Sequence, residues 1–168
     1  MDKIEAIAAT HNPAAFFSLV RHPLKLKLYL LANLPSAFFS GLKVVDVTDR
    51  SCTVSVPYKR FTKNPFRSTY FACLSMAAEL STGVLAMAGV YGRKPSVSML
   101  LTGLEARFHK KATGLTFFTC NDGVKINDAV EAAIATRRPQ EVTVESIGKN
   151  SEQDQVAQFR ITWSFRCR

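Results

Sequence analysis

From Ser68 to Tyr91 the chain carries one charge, Glu79, while Phe71, Leu74, Met76, Leu80, Val84, Leu85 and Met87 fall at spacings that point in every direction around a helix. A helix of that kind has no polar side to turn to water, so it is either enclosed by its own domain or spans a membrane, and its length of roughly 20 residues permits both. Composition favours enclosure. Ser75, Glu79, Ser81 and Thr82 interrupt it and alanines are many, whereas a spanning helix is richer in Leu, Ile and Phe.

The segments around it supply the means of enclosure. Leu42–Val47 and residues 51–58 read as a hairpin across the Thr48-Asp49-Arg50 turn, the second strand alternating Cys52, Val54, Val56 and Tyr58 with polar residues. Val97, Met99 and Leu101 alternate, then the phase shifts at Gly103 to Leu104, Ala106 and Phe108, which predicts a long strand with a bulge. Leu115–Asn121 and Glu141–Ile147 read as strands, with a short helix over Ile126–Thr136 between them that starts near Asn127 or Asp128. Last, Ala157, Phe159, Ile161, Trp163, Phe165 and Cys167 alternate with polar partners, a strand with one face in the core. The pattern predicts an α+β domain of 168 residues in which an antiparallel sheet of about six strands wraps a central helix. Residues 1–40 form a helical extension and 41–168 the sheet and its helix.

Within that extension, Phe16, Phe17, Leu19, Val20, Leu24, Leu28, Leu31 and Leu34 alternate helically with Arg21, Lys25 and Lys27, and Pro23 should split or kink the run. Such a stripe either lies on a membrane surface or packs against its own domain, and the second is expected. The opening Met1-Asp2-Lys3-Ile4-Glu5 has no basic region leading into an apolar run, so no secretory signal is read there. Cys52, Cys73, Cys120 and Cys167 are widely separated, each in an apolar segment, without zinc or redox spacing. They read as buried free thiols, and the cytoplasm is the expected compartment. A net charge of +9 favours anionic partners, but no nucleic-acid-binding signature accompanies it, and no metal is called for.

Glu79 is the chemical anomaly, because an unpaired carboxylate inside an apolar helix is costly. Either a core arginine or a locally exposed stripe accommodates it, or desolvation raises its pKa and suits it to act as base or nucleophile. Just upstream, Asn64-Pro65-Phe66-Arg67-Ser68-Thr69-Tyr70-Phe71 sets a polar loop before the helix start, where unpaired N–H groups and the helix dipole favour negative charge. Asn64-Pro65 also reads as a simple turn, with Ser68 or Thr69 as N-cap.

The stretch from Asn64 through Phe71 to Glu79 resembles the loop-and-helix motif of hotdog-fold acyl-CoA thioesterases, in particular a bacterial branch related to the phenylacetyl-CoA thioesterase type. In that type an Asn precedes His-Gly-Gly at the helix start, and an acid follows nine residues after the His. Here Asn64 matches the Asn, Tyr70 takes the His place and Glu79 the acid place. The branch pattern Asn-x-Phe-x-Thr/Ser-x-Tyr-Phe is matched by Asn64, Phe66, Ser68, Tyr70 and Phe71, with Arg67 standing where a Gly is usual. Leu34-Pro35, Gly41, the basic turn Phe108–Gly114 and the closing Phe159–Phe165 strand extend the likeness over most of the chain.

The resemblance implies a hotdog fold and hydrolysis of an acyl-CoA thioester, without a further cofactor, in a homodimer or dimer of dimers whose sites lie between protomers. Glu79 would be base or nucleophile and Asn64 would position carbonyl or water. The N–H near Tyr70 or Phe71 would hold the oxyanion, and Phe66, Arg67, Tyr70, Phe71, Ser75 and Thr82 would contact substrate. Arg67, Arg93, Lys94, Lys110 and Lys111 would be candidates for the CoA phosphates. A non-catalytic acyl-CoA binder on the same fold is the alternative.

Overall fold

The structure is a computed structural model and describes residues 13–168; the opening residues in which no secretory signal was read lie outside them. The described residues begin with three helices, α1 (Pro13–Arg21), α2 (Pro23–Asn33) and α3 (Pro35–Ser40). α2 and α3 each open on a proline, which suits the first turn because its missing N–H would have had no helical partner. Pro23 therefore splits the predicted run, and Pro35 starts a third helix that periodicity did not suggest. Gly41 closes α3 in the left-handed region at φ 76°.

Then follow β1 (Lys43–Val47), β2 (Cys52–Val56), α4 (Phe71–Val90), β3 (Val97–Phe108), β4 (Thr116–Cys120), α5 (Gly123–Thr136), β5 (Gln140–Asn150) and β6 (Gln155–Cys167). The six strands form one sheet in the order β1-β2-β4-β5-β6-β3, antiparallel throughout. Residues facing α4, such as Val54, Phe118, Val144 and Ile161, are fully buried. The helix is long and apolar enough to cross a membrane, but it is the mostly buried core helix of this sheet.

One core joins Phe16, Val20 and Leu30 of the extension to α4 and to Phe165 at the chain's end. Arg21 ties the extension down by donating from Nε and Nη2 to the Val47 carbonyl at the end of β1, at 3.2 and 2.8 Å. The expected packing of the N-terminal stripe is met only in part. Leu26 and Leu30 turn inward, while Leu24, Leu28 and Leu31 remain in solvent.

The bulge is where the phase shift placed it: β3 pairs with β6 in continuous register except between Leu101 and Gly103, where Thr102 is the extra residue. Leu101, Leu104, Ala106 and Phe108 consequently lie opposite Trp163, Ile161, Phe159 and Ala157, on the face turned towards the helix. Helix α5 starts three residues before the predicted Ile126. Its first N–H, of Gly123, donates to the Arg50 carbonyl at 3.0 Å, a partner too remote in sequence to be anticipated. Cys52, Cys73 and Cys120 are buried free thiols, and Cys52 faces Cys120 across β2 and β4. Burial pushes them up to about 12 and about 11 respectively, so both stay protonated.

Gly148 of β5 lies beneath the Phe118 ring of β4, and a Cβ there would collide with it. The ring is fully buried and packs edge-on against Phe159 at 5.6 Å, which leaves it no room to retreat. Gly148→Ala should therefore cost about 1–3 kcal/mol through overpacking, read as a lower denaturation midpoint in urea with unchanged slope.

Candidate active site

The segment between β2 and α4 is held by hydrogen bonds that deliver the helix start at one place. The Thr62 hydroxyl donates to the Pro57 carbonyl at 2.7 Å and accepts from the Lys59 N–H at 2.9 Å. The Thr62 carbonyl accepts from the Tyr70 N–H at 2.6 Å, and Thr69 N–H reaches the Ala112 carbonyl at 2.7 Å. Asn64 organises the tip: its side-chain oxygen accepts from the N–H groups of Phe66 and Ser68 at 3.0 and 3.2 Å and from the Ser68 hydroxyl at 3.3 Å. Arg67 takes φ 59°. That left-handed conformation is strained for a residue with a Cβ and explains why glycine suits the position.

The helix is capped at Tyr70, with no side-chain hydrogen bond to the cap, so neither Ser68 nor Thr69 has the N-cap role expected of it. Cys73 N–H already bonds the Tyr70 carbonyl at 2.9 Å. The Phe71 and Ala72 N–H groups are left without partners among the described residues. With the dipole of a 20-residue helix behind them, they form a site for partial negative charge. The helix start borders an open cleft of about 580 Å³ through Tyr70, Phe71 and Leu74; Asn64 and Phe66 line it on the same side and Phe108, His109, Lys110 and Lys111 on the other.

Not all the predicted residues meet there. Glu79 is eight residues beyond Phe71, about 12 Å along the helix axis, so it cannot touch the N–H groups at the start of its own helix. It is half-buried on an open stripe of α4 with Ser75, Met76 and Met87. No ion pair or hydrogen bond reaches its carboxylate among the described residues, so the arginine that could have neutralised it is not there. Burial alone lifts its pKa above the ordinary glutamate value. Gly83, one turn on, makes the geometry possible, since a Cβ there would come within 3.0 Å of Glu79 Oε1 and 3.5 Å of the Trp163 ring.

Of the proposed substrate contacts, Phe66, Tyr70 and Phe71 line the cleft and are exposed, and Arg67 stands exposed beside it. Ser75 donates to the Phe71 carbonyl at 2.9 Å. Thr82 is fully buried: it accepts from the Trp163 indole at 3.0 Å and donates to the Glu79 carbonyl at 2.9 Å, so its hydroxyl is occupied inside the fold. Thr82 thus holds the Glu79 backbone carbonyl, and the missing Cβ of Gly83 leaves room for the Glu79 carboxylate. Gly83 was the available signal, a helix-weakening residue four positions after the only acid, and it was not read.

Among the cations, Arg93 has another task. It caps the far end of α4 through the Gly89 carbonyl at 3.0 Å and pairs with Glu131 at 2.6 Å. Lys94 lies at that same far end, so neither is near the cleft. Lys110 is paired with Asp154, and Lys111 is exposed on the cleft wall.

A single sheet wrapped antiparallel around a buried helix, with the loop and helix start forming a cleft, is the hotdog fold. Residues 29–165 match the family model described as a domain of unknown function, DUF4442, and the chain belongs to that family. No curated protein matches it. Among solved structures it is similar to a Pseudomonas aeruginosa protein described as of unknown function and a probable thioesterase, with 19% identity, a TM-score of 0.73 and 87% of this chain and 97% of that one covered. A Chlorobaculum tepidum protein of unknown function superposes with a TM-score of 0.75 at 14% identity, over 95% and 99% of the two chains. PaaI of Escherichia coli, from the phenylacetic acid degradation operon, superposes at 0.60 and 12% identity, over 84% and 89%.

The desolvated carboxylate has a consequence for stability. A folded-state pKa above the unfolded value means that the folded chain holds a proton that the unfolded chain has already released, so stability falls as pH rises from the ordinary glutamate value to the raised one. Glu79→Gln removes that loss. The variant should melt at or above the wild-type temperature at neutral pH, and the difference should vanish below the ordinary glutamate value, as followed by thermal denaturation across pH.

Proposed function

We propose that the chain is an acyl-CoA thioesterase that works as a homodimer, with each site built from the α4 start of one protomer and Glu79 of the other. The observation that carries this reading is the unpaired, desolvated Glu79 carboxylate, held open on an otherwise apolar helix. A structural ion pair would need a partner, and none reaches this carboxylate among the described residues, while the bare Gly83 leaves space beside it.

The roughly 12 Å between Glu79 and its own helix start makes a second copy part of the chemistry. The edge of the sheet supports one. Strand β3 has 12 residues, pairs only with β6, and exposes Leu100, Leu104 and Phe108. A long apolar edge of this kind is a site of strand pairing between copies. Phe108 is also a wall of the cleft, so a partner at this edge would close the cleft from the open side. Pairing of two such dimers is compatible with the same chain and is not needed for the site.

In the reaction, the Phe71 and Ala72 N–H groups donate to the thioester carbonyl oxygen as charge develops on it. Glu79 takes a proton from water as the water oxygen bonds to the carbonyl carbon. The tetrahedral adduct then breaks its C–S bond, and the thiolate leaves with the proton that Glu79 had accepted. The products are a carboxylic acid and free CoA thiol. A raised pKa suits a base that must take and return a proton near neutral pH. Direct attack by Glu79 on the same carbonyl, followed by hydrolysis of the anhydride, uses the same residues. The Asn64 oxygen is committed to the loop, which leaves its amide N–H₂ to position carbonyl or water. Exposed Lys111 and Arg67 are placed to meet the phosphates of CoA, and the compartment that fits four unpaired cysteines is the cytoplasm.

Thiol release from a panel of acyl-CoA substrates tests the activity. Glu79→Gln should lower kcat by about a hundredfold or more with little change in KM. Asn64→Asp, which keeps the loop acceptor but removes the amide donor, should lower kcat without unfolding the loop. Acyl-CoA binding with no thiol release from any substrate would instead make the chain a non-catalytic binder. Separately, sedimentation should give a dimer at micromolar concentration, and Leu104→Lys should shift it towards monomer and abolish turnover. A monomeric wild type that is fully active would refute the shared site.

A further inference from the structure

The outward face of α2 has no use in the fold described so far. Leu26 and Leu30 point into the core, and Leu24, Leu28 and Leu31 form a ridge on the opposite side, 61%, 59% and 43% exposed. Their spacing of four and three residues puts them on one helix face, and at about 100° per residue Lys25 falls on one flank of the ridge and Lys27 on the other. Single exposed leucines are ordinary, but a contiguous ridge of three marks a contact surface. Helix α5 gives the contrast. It packs on the same core and turns Lys125, Asp128 and Glu131 to water.

Charge decides what the ridge meets. Residues 13–45 contain Arg21, Lys25, Lys27 and Lys43 and no Asp or Glu, and between residues 13 and 78 nine Lys and Arg stand against two Asp. A second copy docked through this ridge about a two-fold axis would crowd Lys25 and Lys27 of both copies into one contact, with no acid on either α2 to offset them. An anionic surface has the opposite effect. The shape agrees, because the leucines project from a convex helix and do not line a groove for a peptide, and lysines flanking a leucine ridge can hold their ammonium groups at the level of lipid headgroups.

We infer that α2 lies on the surface of an anionic lipid bilayer, with Leu24, Leu28 and Leu31 inserted among the acyl chains and Lys25 and Lys27 at the headgroups. The contact is peripheral and reversible, because one 11-residue helix buries only one face and α4 stays inside the sheet. It is independent of the thioesterase reading, since no residue of the cleft takes part.

Cosedimentation of the full chain with extruded vesicles tests it. Binding should be strong to phosphatidylcholine vesicles containing phosphatidylglycerol and about tenfold or more weaker to phosphatidylcholine alone, and it should weaken as salt is raised. Leu28→Glu, and separately the double change Lys25→Glu with Lys27→Glu, should each lower binding by about tenfold while the melting temperature stays near wild type, since these side chains are exposed. Equal binding by the variants, or none by the wild type, overturns the inference. So does a Leu28→Glu variant that falls to a smaller oligomer, which would make the ridge a contact between copies, and so does salt-sensitive binding to a soluble acidic protein without any vesicle binding.

Discussion

Because α4 has no polar side, its 20 residues are stable in water only under cover, and most of the chain is arranged to supply it. The sheet curls so that β2, β4 and β5 lie beneath the helix, α5 flanks it, and α1 reaches its far end, where Phe16 meets Tyr91 at 5.3 Å. The cover stops short along one stripe, and that is where Glu79 sits. Had the enclosure been complete, a carboxylate could not have remained at that position without a partner. Had it been looser, water would have held the pKa near its ordinary value. The chemistry proposed for Glu79 depends on this incomplete closure.

What pattern could disclose, it disclosed well: the alternation of Cys52, Val54 and Val56, the long run from Ala157 to Cys167, and the change of phase at Gly103 all became strands with the expected face inward. These are local signals, since the period of a strand or helix is written in consecutive residues. Asn64 and Glu79 also stood out locally, as an anomalous polar tip and an anomalous acid. The misses have another cause. Thr82 is occupied by Trp163, Arg93 by Glu131 and the Gly123 N–H by Arg50, and each partner lies tens of residues away, where no periodicity reaches. The outward ridge of α2 was hidden differently: leucines on both sides of a helix leave no contrast between faces, so the pattern did not say which leucines the core would take.

The loop before α4 shows how strain and function share one element. Arg67 is held at positive φ by a turn whose corner is the Asn64 side chain, and the same turn delivers Tyr70 to the position from which the helix begins. No hydrogen bond of the loop engages the Phe71 and Ala72 N–H groups among the described residues. Those two donors are therefore available before any ligand arrives, and little reorganisation would be needed when charge develops beside them.

The extra residue at Thr102 gives β3 a property of parity. On its two sides the inward positions change from odd to even numbers, Val97, Met99 and Leu101 before it and Leu104, Ala106 and Phe108 after it. Loss of Thr102 itself would leave the pairing in register, but loss or gain of one residue between Gly103 and the strand end would exchange every side chain beyond it, bringing Glu105 and Arg107 to the inner face and turning Phe108 away from the cleft. Substitutions along this edge can be tried one at a time, but changes of length beyond Gly103 cannot. The lineage of this chain should therefore hold the length of β3 beyond Gly103 more tightly than its sequence, and the unpaired Thr102 is the place where a deletion keeps the phase.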